Sequence, residues 1–94
     1  VITNPTSMAI ALQYDTERMI APQLIAKGAD FIAERIKKIA EENGIPIVEH
    51  KLLAQTLFKS VEIGEFIPAD LYRAVAEILA YVYQLKDVRY NRKV

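Results

Sequence analysis

A chain of 94 residues, 52% of them apolar, makes one small domain with ample apolar content for a single core. Twelve Lys and Arg balance twelve Asp and Glu, and a formal net charge of zero argues against nucleic acid as the main partner, because phosphate binding draws on a basic excess. Without cysteine there is no disulfide and no thiolate metal site, and no apolar run reaches the length of a membrane span or reads as a signal peptide.

Val1 to Thr3 reads as an extended start. Met8 to Tyr14 alternates, with Met8, Ile10, Leu12 and Tyr14 on one face, and predicts a strand. After a loop over Asp15 to Pro22, the run Gln23 to Lys27 predicts a third strand, which Gly28 ends. A helix follows, with Ala29, Ile32, Ala33, Ile36, Ile39 and Ala40 at 3.6-residue spacing, Asp30 near its positive end and Gly44 as its stop. Glu34 and Lys38 form an i,i+4 pair on its solvent side. Ile45 to Glu49 predicts a fourth strand, and a strand–helix–strand crossover of this length predicts a parallel pair within the sheet. Lys51 to Val61 then reads as a helix burying Leu53, Leu57 and Val61. The last helix runs from Pro68 to about Lys86, with a stripe of Leu71, Val75, Ile78, Val82 and Leu85. Residues 1–86 are thus expected to form a compact α/β domain, a four-stranded mixed sheet with helices packed around it. Residues 87–94 are expected to form a basic, flexible C-terminal tail.

Most of the polar residues that might carry chemistry have ordinary explanations. His50 is the only histidine and has no second His or Cys to complete a metal site, so a structural or surface role is expected. Glu62 and Glu65 flank a glycine turn and read as solvated, while Tyr72, Tyr81 and Tyr83 read as core or rim aromatics. A hydrolase or transferase would need a Ser/His/Asp or Cys/His set, which one histidine and no cysteine do not supply. No metal and no cofactor is implied.

Asn4-Pro5 is different. As a dipeptide it is an ordinary turn initiator. It also has a particular reactivity, because Pro5 lacks the N–H that would attack the Asn4 side chain. What remains is attack by the Asn4 side-chain nitrogen on its own carbonyl carbon, which closes a succinimide and cuts the chain before Pro5. Such a reaction needs a turn that holds nitrogen and carbonyl at attack distance. Thr6 and Ser7, through hydroxyls or backbone N–H groups, are positioned by sequence to donate to the developing oxyanion.

Taken together, Val1 to Thr6, Ala9 to Tyr14, Ala21-Pro22, Ala26 to Asp30, Gly44 to Glu49 and Ile67 to Tyr83 resemble the cytoplasmic domain of the FlhB/YscU family. These are the self-cleaving export-gate proteins of type III secretion, and Tyr72 to Tyr83 looks more like the flagellar branch. The resemblance implies self-cleavage between Asn4 and Pro5, as a single event rather than turnover. It also implies a switch of export specificity from rod- and hook-type to filament-type substrates. Expected partners are those substrates, a hook-length control protein and other export-gate components. The implied location is the cytoplasmic face of the bacterial inner membrane, reached through an N-terminal membrane domain upstream of Val1. Positions matching Ala21, Pro22, Ala76 and Leu79 form a small apolar pocket for export signals in the flagellar family, although Ala76 and Leu79 also read as core packing. The sequence departs from the family motif Asn-Pro-Thr-His at Ser7, which can hydrogen-bond but supplies no near-neutral proton. Cleavage is expected to survive and to run more slowly; a non-cleaving interaction module on the same scaffold is the alternative.

Overall fold

Alternation in the first thirty residues produces a β-meander, and helical periodicity takes over from there. The computed structural model describes residues 1–91, with side chains through Leu85. Strands β1 (Ile2–Asn4), β2 (Met8–Gln13), β3 (Gln23–Ala29) and β4 (Val48–Glu49) form one sheet in the order β3-β2-β1-β4. Helices α1 (Asp30–Glu42), α2 (Lys51–Ser60) and α3 (Tyr72–Asn91) pack around it, with a 3₁₀ turn over Ala69–Leu71 ahead of α3. The expected mixed sheet and α/β class are found. The last helix continues to Asn91 instead of stopping near Lys86, and the side chains of the basic stretch 87–94 lie outside the described residues.

The expected parallel pair exists, but between other strands. β1 pairs parallel with β4 through Ile2 opposite Val48 and Thr3 opposite Glu49, and antiparallel with β2. The two strands joined by α1 occupy opposite edges, so the crossover spans the whole sheet instead of linking neighbours. β4 is shorter than the predicted Ile45 to Glu49 because Pro46 has no N–H to give to the ladder.

The two faces of the sheet differ in residue size. On one, Ile2, Ile10 and Leu24 meet Leu53, Ala54 and Leu57 of α2, Val75 of α3, and Val61 and Ile67 from the connection between those helices. Burying seven large side chains here to 2% exposure or less is the main hydrophobic contribution to the fold, at roughly 1.5–3 kcal/mol each. On the other face, Thr3, Ala9 and Gly28 lie in cross-strand register, all small and all buried. Gly28 therefore does not end the third strand; it stays in the ladder opposite Ala9.

That flat face lets α1 approach closely through Ala33 and Ala40. Its contact stripe is narrower than the predicted one: Ile32 and Ile39, expected in the core, are 53% and 50% exposed. The expected Glu34–Lys38 pair is also replaced, since Glu34 bonds Lys37 at 2.8 Å. Gly44, at φ +66°, supplies the left-handed residue that stops α1 as predicted. His50 has a structural role, in which its Nδ1 accepts the Leu53 N–H at 3.2 Å and caps α2.

Candidate functional site

Asn4 is the last residue of β1 and is 5% exposed, while Pro5 and Thr6 project into solvent. Asn4 is paired with Met8 across the hairpin, leaving Pro5, Thr6 and Ser7 as its loop. The Ser7 N–H donates to the Asn4 carbonyl at 3.0 Å and closes a turn with proline in its favoured second position. That carbonyl oxygen is the one that would become an oxyanion if the Asn4 side chain attacked its own backbone. A backbone donor therefore already points at the oxygen on which charge would develop in such an attack, held there by the turn. Nothing in this contact uses the Ser7 side chain.

The turn is braced from several sides. On the β4 side, the His50 N–H donates to the Thr3 carbonyl at 2.9 Å and the Val48 N–H to the Val1 carbonyl at 2.8 Å. On the α1 side, the Asp30 N–H donates to the Ser7 carbonyl at 2.8 Å and Lys37 Nζ to the Pro5 carbonyl at 3.4 Å. Asp30 holds φ +49°, the one positive φ outside glycine among the described residues. A left-handed residue with a Cβ costs on the order of 1 kcal/mol, and Asp tolerates it better than most. The strain lies at the joint between β3 and α1, where the chain must reverse and still deliver its N–H to the turn.

Ala21, Pro22, Ala76 and Leu79 come together around one surface depression of about 160 Å³. Ala21 is buried as its floor, Pro22 and Leu79 are half-buried, and Ala76 is exposed. The connection between α2 and α3 sets the two halves in place. The Gly64 N–H donates to the Leu24 carbonyl at 2.8 Å, the Leu24 N–H to the Glu65 carbonyl at 2.9 Å, and the Ile67 N–H to the Pro22 carbonyl at 2.8 Å. Three further lining residues are not apparent from the sequence: Tyr14, Ile20 and Tyr72. Ile20 stands out because a large aliphatic side chain is 90% exposed there, at the rim. Its place directly before Ala21-Pro22 is the one signal the sequence offers.

Lys27 is equally inconspicuous in the sequence. It looks like a strand-end lysine, yet only 15% of its side chain is exposed. Nζ donates to the Phe58 and Val61 carbonyls at 2.8 and 2.9 Å, and the Phe58 ring lies 5.2 Å below it. It thus satisfies carbonyls at the end of α2 that lack partners within the helix.

Among the described residues no helix is long and apolar enough to cross a membrane. Comparison with known proteins then places the chain. The profile described as the FlhB HrpN YscU SpaS family matches residues 1–82. The flagellar biosynthetic protein FlhB of Yersinia enterocolitica is 52% identical over 86 residues, which cover 92% of this chain and 22% of that protein. FlhB of Bacillus subtilis is 49% identical over 90 residues, covering 96% of this chain and 25% of that protein. The crystallised cytoplasmic domain of FlhB from Shewanella putrefaciens matches with a TM-score of 0.90 at 38% identity, covering 97% of this chain and 70% of that one. The chain spans about a quarter of the length of the curated relatives it matches. With the hairpin, its Asn-Pro turn and the sheet order described above, these matches make the chain a member of the FlhB, HrpN, YscU and SpaS family.

Proposed function

We propose that this domain is the cytoplasmic specificity switch of a flagellar type III export gate, which cuts itself once between Asn4 and Pro5 and then docks export partners. The observation that carries the reading is the Ser7 N–H at 3.0 Å from the Asn4 carbonyl, in a turn that ends a buried central strand. In the reaction the Asn4 side-chain nitrogen bonds its own carbonyl carbon and gives up one proton to solvent. The carbon–nitrogen bond to Pro5 breaks, and the prolyl nitrogen keeps the electron pair and takes up a proton. The succinimide left on Asn4 then opens with water. Each chain does this once, so the domain is a switch and not a turnover enzyme.

Intact mass of the full-length protein under denaturing conditions tests this directly. Two fragments that meet between Asn4 and Pro5 are the expected result; a single stable mass overturns self-cleavage. Ser7 in place of the family's histidine is the feature that favours the second reading, an interaction module of the same scaffold that never cuts, and a single mass would favour it.

Docking is assigned to the depression bounded by Ala21, Pro22, Ala76 and Leu79. An apolar side chain of a short export signal fits a hollow of about 160 Å³ rimmed by Ile20 and Tyr72. The partners are rod- and hook-type substrates first, a hook-length control protein, and filament-type substrates later. A membrane domain in the longer protein would hold the switch at the inner face of the bacterial inner membrane.

Ala76→Arg puts a long cation across the hollow from an exposed position, so the fold should tolerate it. Binding of an export-signal peptide, measured by titration calorimetry, should weaken at least about tenfold, because loss of one buried apolar anchor and an unpaired charge add to about 1.4 kcal/mol or more. Unchanged binding would remove the hollow from the docking assignment.

A further inference from the structure

Helix α1 grips the cleavage turn at two carbonyls, and one of the two grips is a cation. The Asp30 N–H holds the Ser7 carbonyl at 2.8 Å, and Lys37 Nζ holds the Pro5 carbonyl at 3.4 Å. Only 21% of the Lys37 side chain is exposed, and Nζ is paired with Glu34 Oε1 at 2.8 Å, which places the head group between its own helix and the turn, with the longer contact on the turn side. The contact falls on the first residue after the bond that breaks.

We propose that Lys37 is a positioning residue for scission of the Asn4–Pro5 bond. The inference rests on the self-cleavage reading and extends it to the leaving group. When the carbon–nitrogen bond opens, its electron pair must settle on the Pro5 nitrogen. An ammonium on the neighbouring carbonyl withdraws electron density from that residue, makes the prolyl amine a weaker base and eases its departure. It also stops the Pro5 peptide plane from rotating, so the turn keeps the Ser7 N–H aimed at the Asn4 carbonyl. Lys37 itself gains and loses no proton; the two proton transfers are with solvent.

The test is a pulse-chase of the full-length protein in cells, with cut and uncut chains resolved on denaturing gels. Lys37→Met should slow scission about tenfold, Lys37→Arg should restore it to within about threefold, and Lys38→Met, one position along the same helix, should leave it unchanged. Thermal unfolding of the three variants keeps stability apart from rate. Equal rates for the wild type and Lys37→Met overturn the role of Lys37 and leave self-cleavage standing. Methionine and arginine variants that slow together in step with a lower Tm reduce Lys37 to a structural prop and overturn the proposal too. A wild-type chain that never cuts overturns the reading beneath it.

Discussion

Asn4→Ala leaves a single chain under denaturing conditions at any age of the sample, because the substitution removes the attacking nitrogen and no other group can replace it. The loss is complete, beyond the 10²- to 10³-fold that removal of one oxyanion donor costs. The fold should survive. Asn4 ends β1, and trimming one strand-end amide costs about 1 kcal/mol, while Ile2 remains 2% exposed in the core. Ser7→Ala gives the informative contrast. The group on the Asn4 carbonyl is the Ser7 backbone N–H, which alanine keeps, so scission should change by no more than about threefold. Intact mass at successive times after synthesis reads both variants. A large loss in Ser7→Ala would return the role to the hydroxyl, and any scission in Asn4→Ala would end the cyclisation mechanism.

Gly28→Ala should cost about 2–3 kcal/mol, a large effect for one methyl group. A Cβ on Gly28 would run into Ile32 Cγ2 and lie 2.6 Å from Ile32 Cβ. The second atom is the branch point of a β-branched side chain and cannot swing aside, so the first turn of α1 has to move. For a domain of this size Tm should fall by roughly 10–20 °C, measured by calorimetry or circular dichroism. The same shift would draw the Asp30 N–H off the Ser7 carbonyl and loosen the cleavage turn. Scission should therefore slow in Gly28→Ala even at temperatures where the variant remains folded. An unchanged Tm would mean that α1 does not seat on the small-residue face as described.

These two positions mark what is and is not legible in the chain. Asn4-Pro5 announces itself, because only that dipeptide combines the side-chain nucleophile with a missing N–H. The strand predicted over Met8 to Tyr14 is found as Met8–Gln13, with Tyr14 just beyond its end, and the helical stripe around Val75 is found as well, since each follows a period set by backbone geometry. Gly28 reads as a stop and is instead a point of close approach; periodicity reports which face is apolar and says nothing about how near the next layer comes. The same blindness places Ile32 and Ile39 in the core, although a helix resting on Ala33 and Ala40 leaves them at the flanks. Strand order is hidden too, because the α1 crossover is long enough to join neighbours or opposite edges. Lys27 and Lys37 are the sharpest cases. Each looks like a solvated cation, and each is bonded to backbone carbonyls far away in sequence. Ala21, Pro22, Ala76 and Leu79 are nominated through family resemblance, and Tyr14, Ile20 and Tyr72 come into view only with the fold.

β1 is three residues long and lies between two hydrogen-bonded neighbours. A cut directly after it turns a one-chain domain into a pair of complementary fragments. Before scission, refolding is unimolecular and independent of dilution. After a cut the upstream piece would keep its place only by association, so the midpoint of unfolding would become a function of protein concentration, and a piece pulled out at low concentration would have no tether to bring it back. If the Asn4–Pro5 bond is cut as proposed, the same strand that hides the break in the folded state would make every later unfolding event a step that dilution can render permanent.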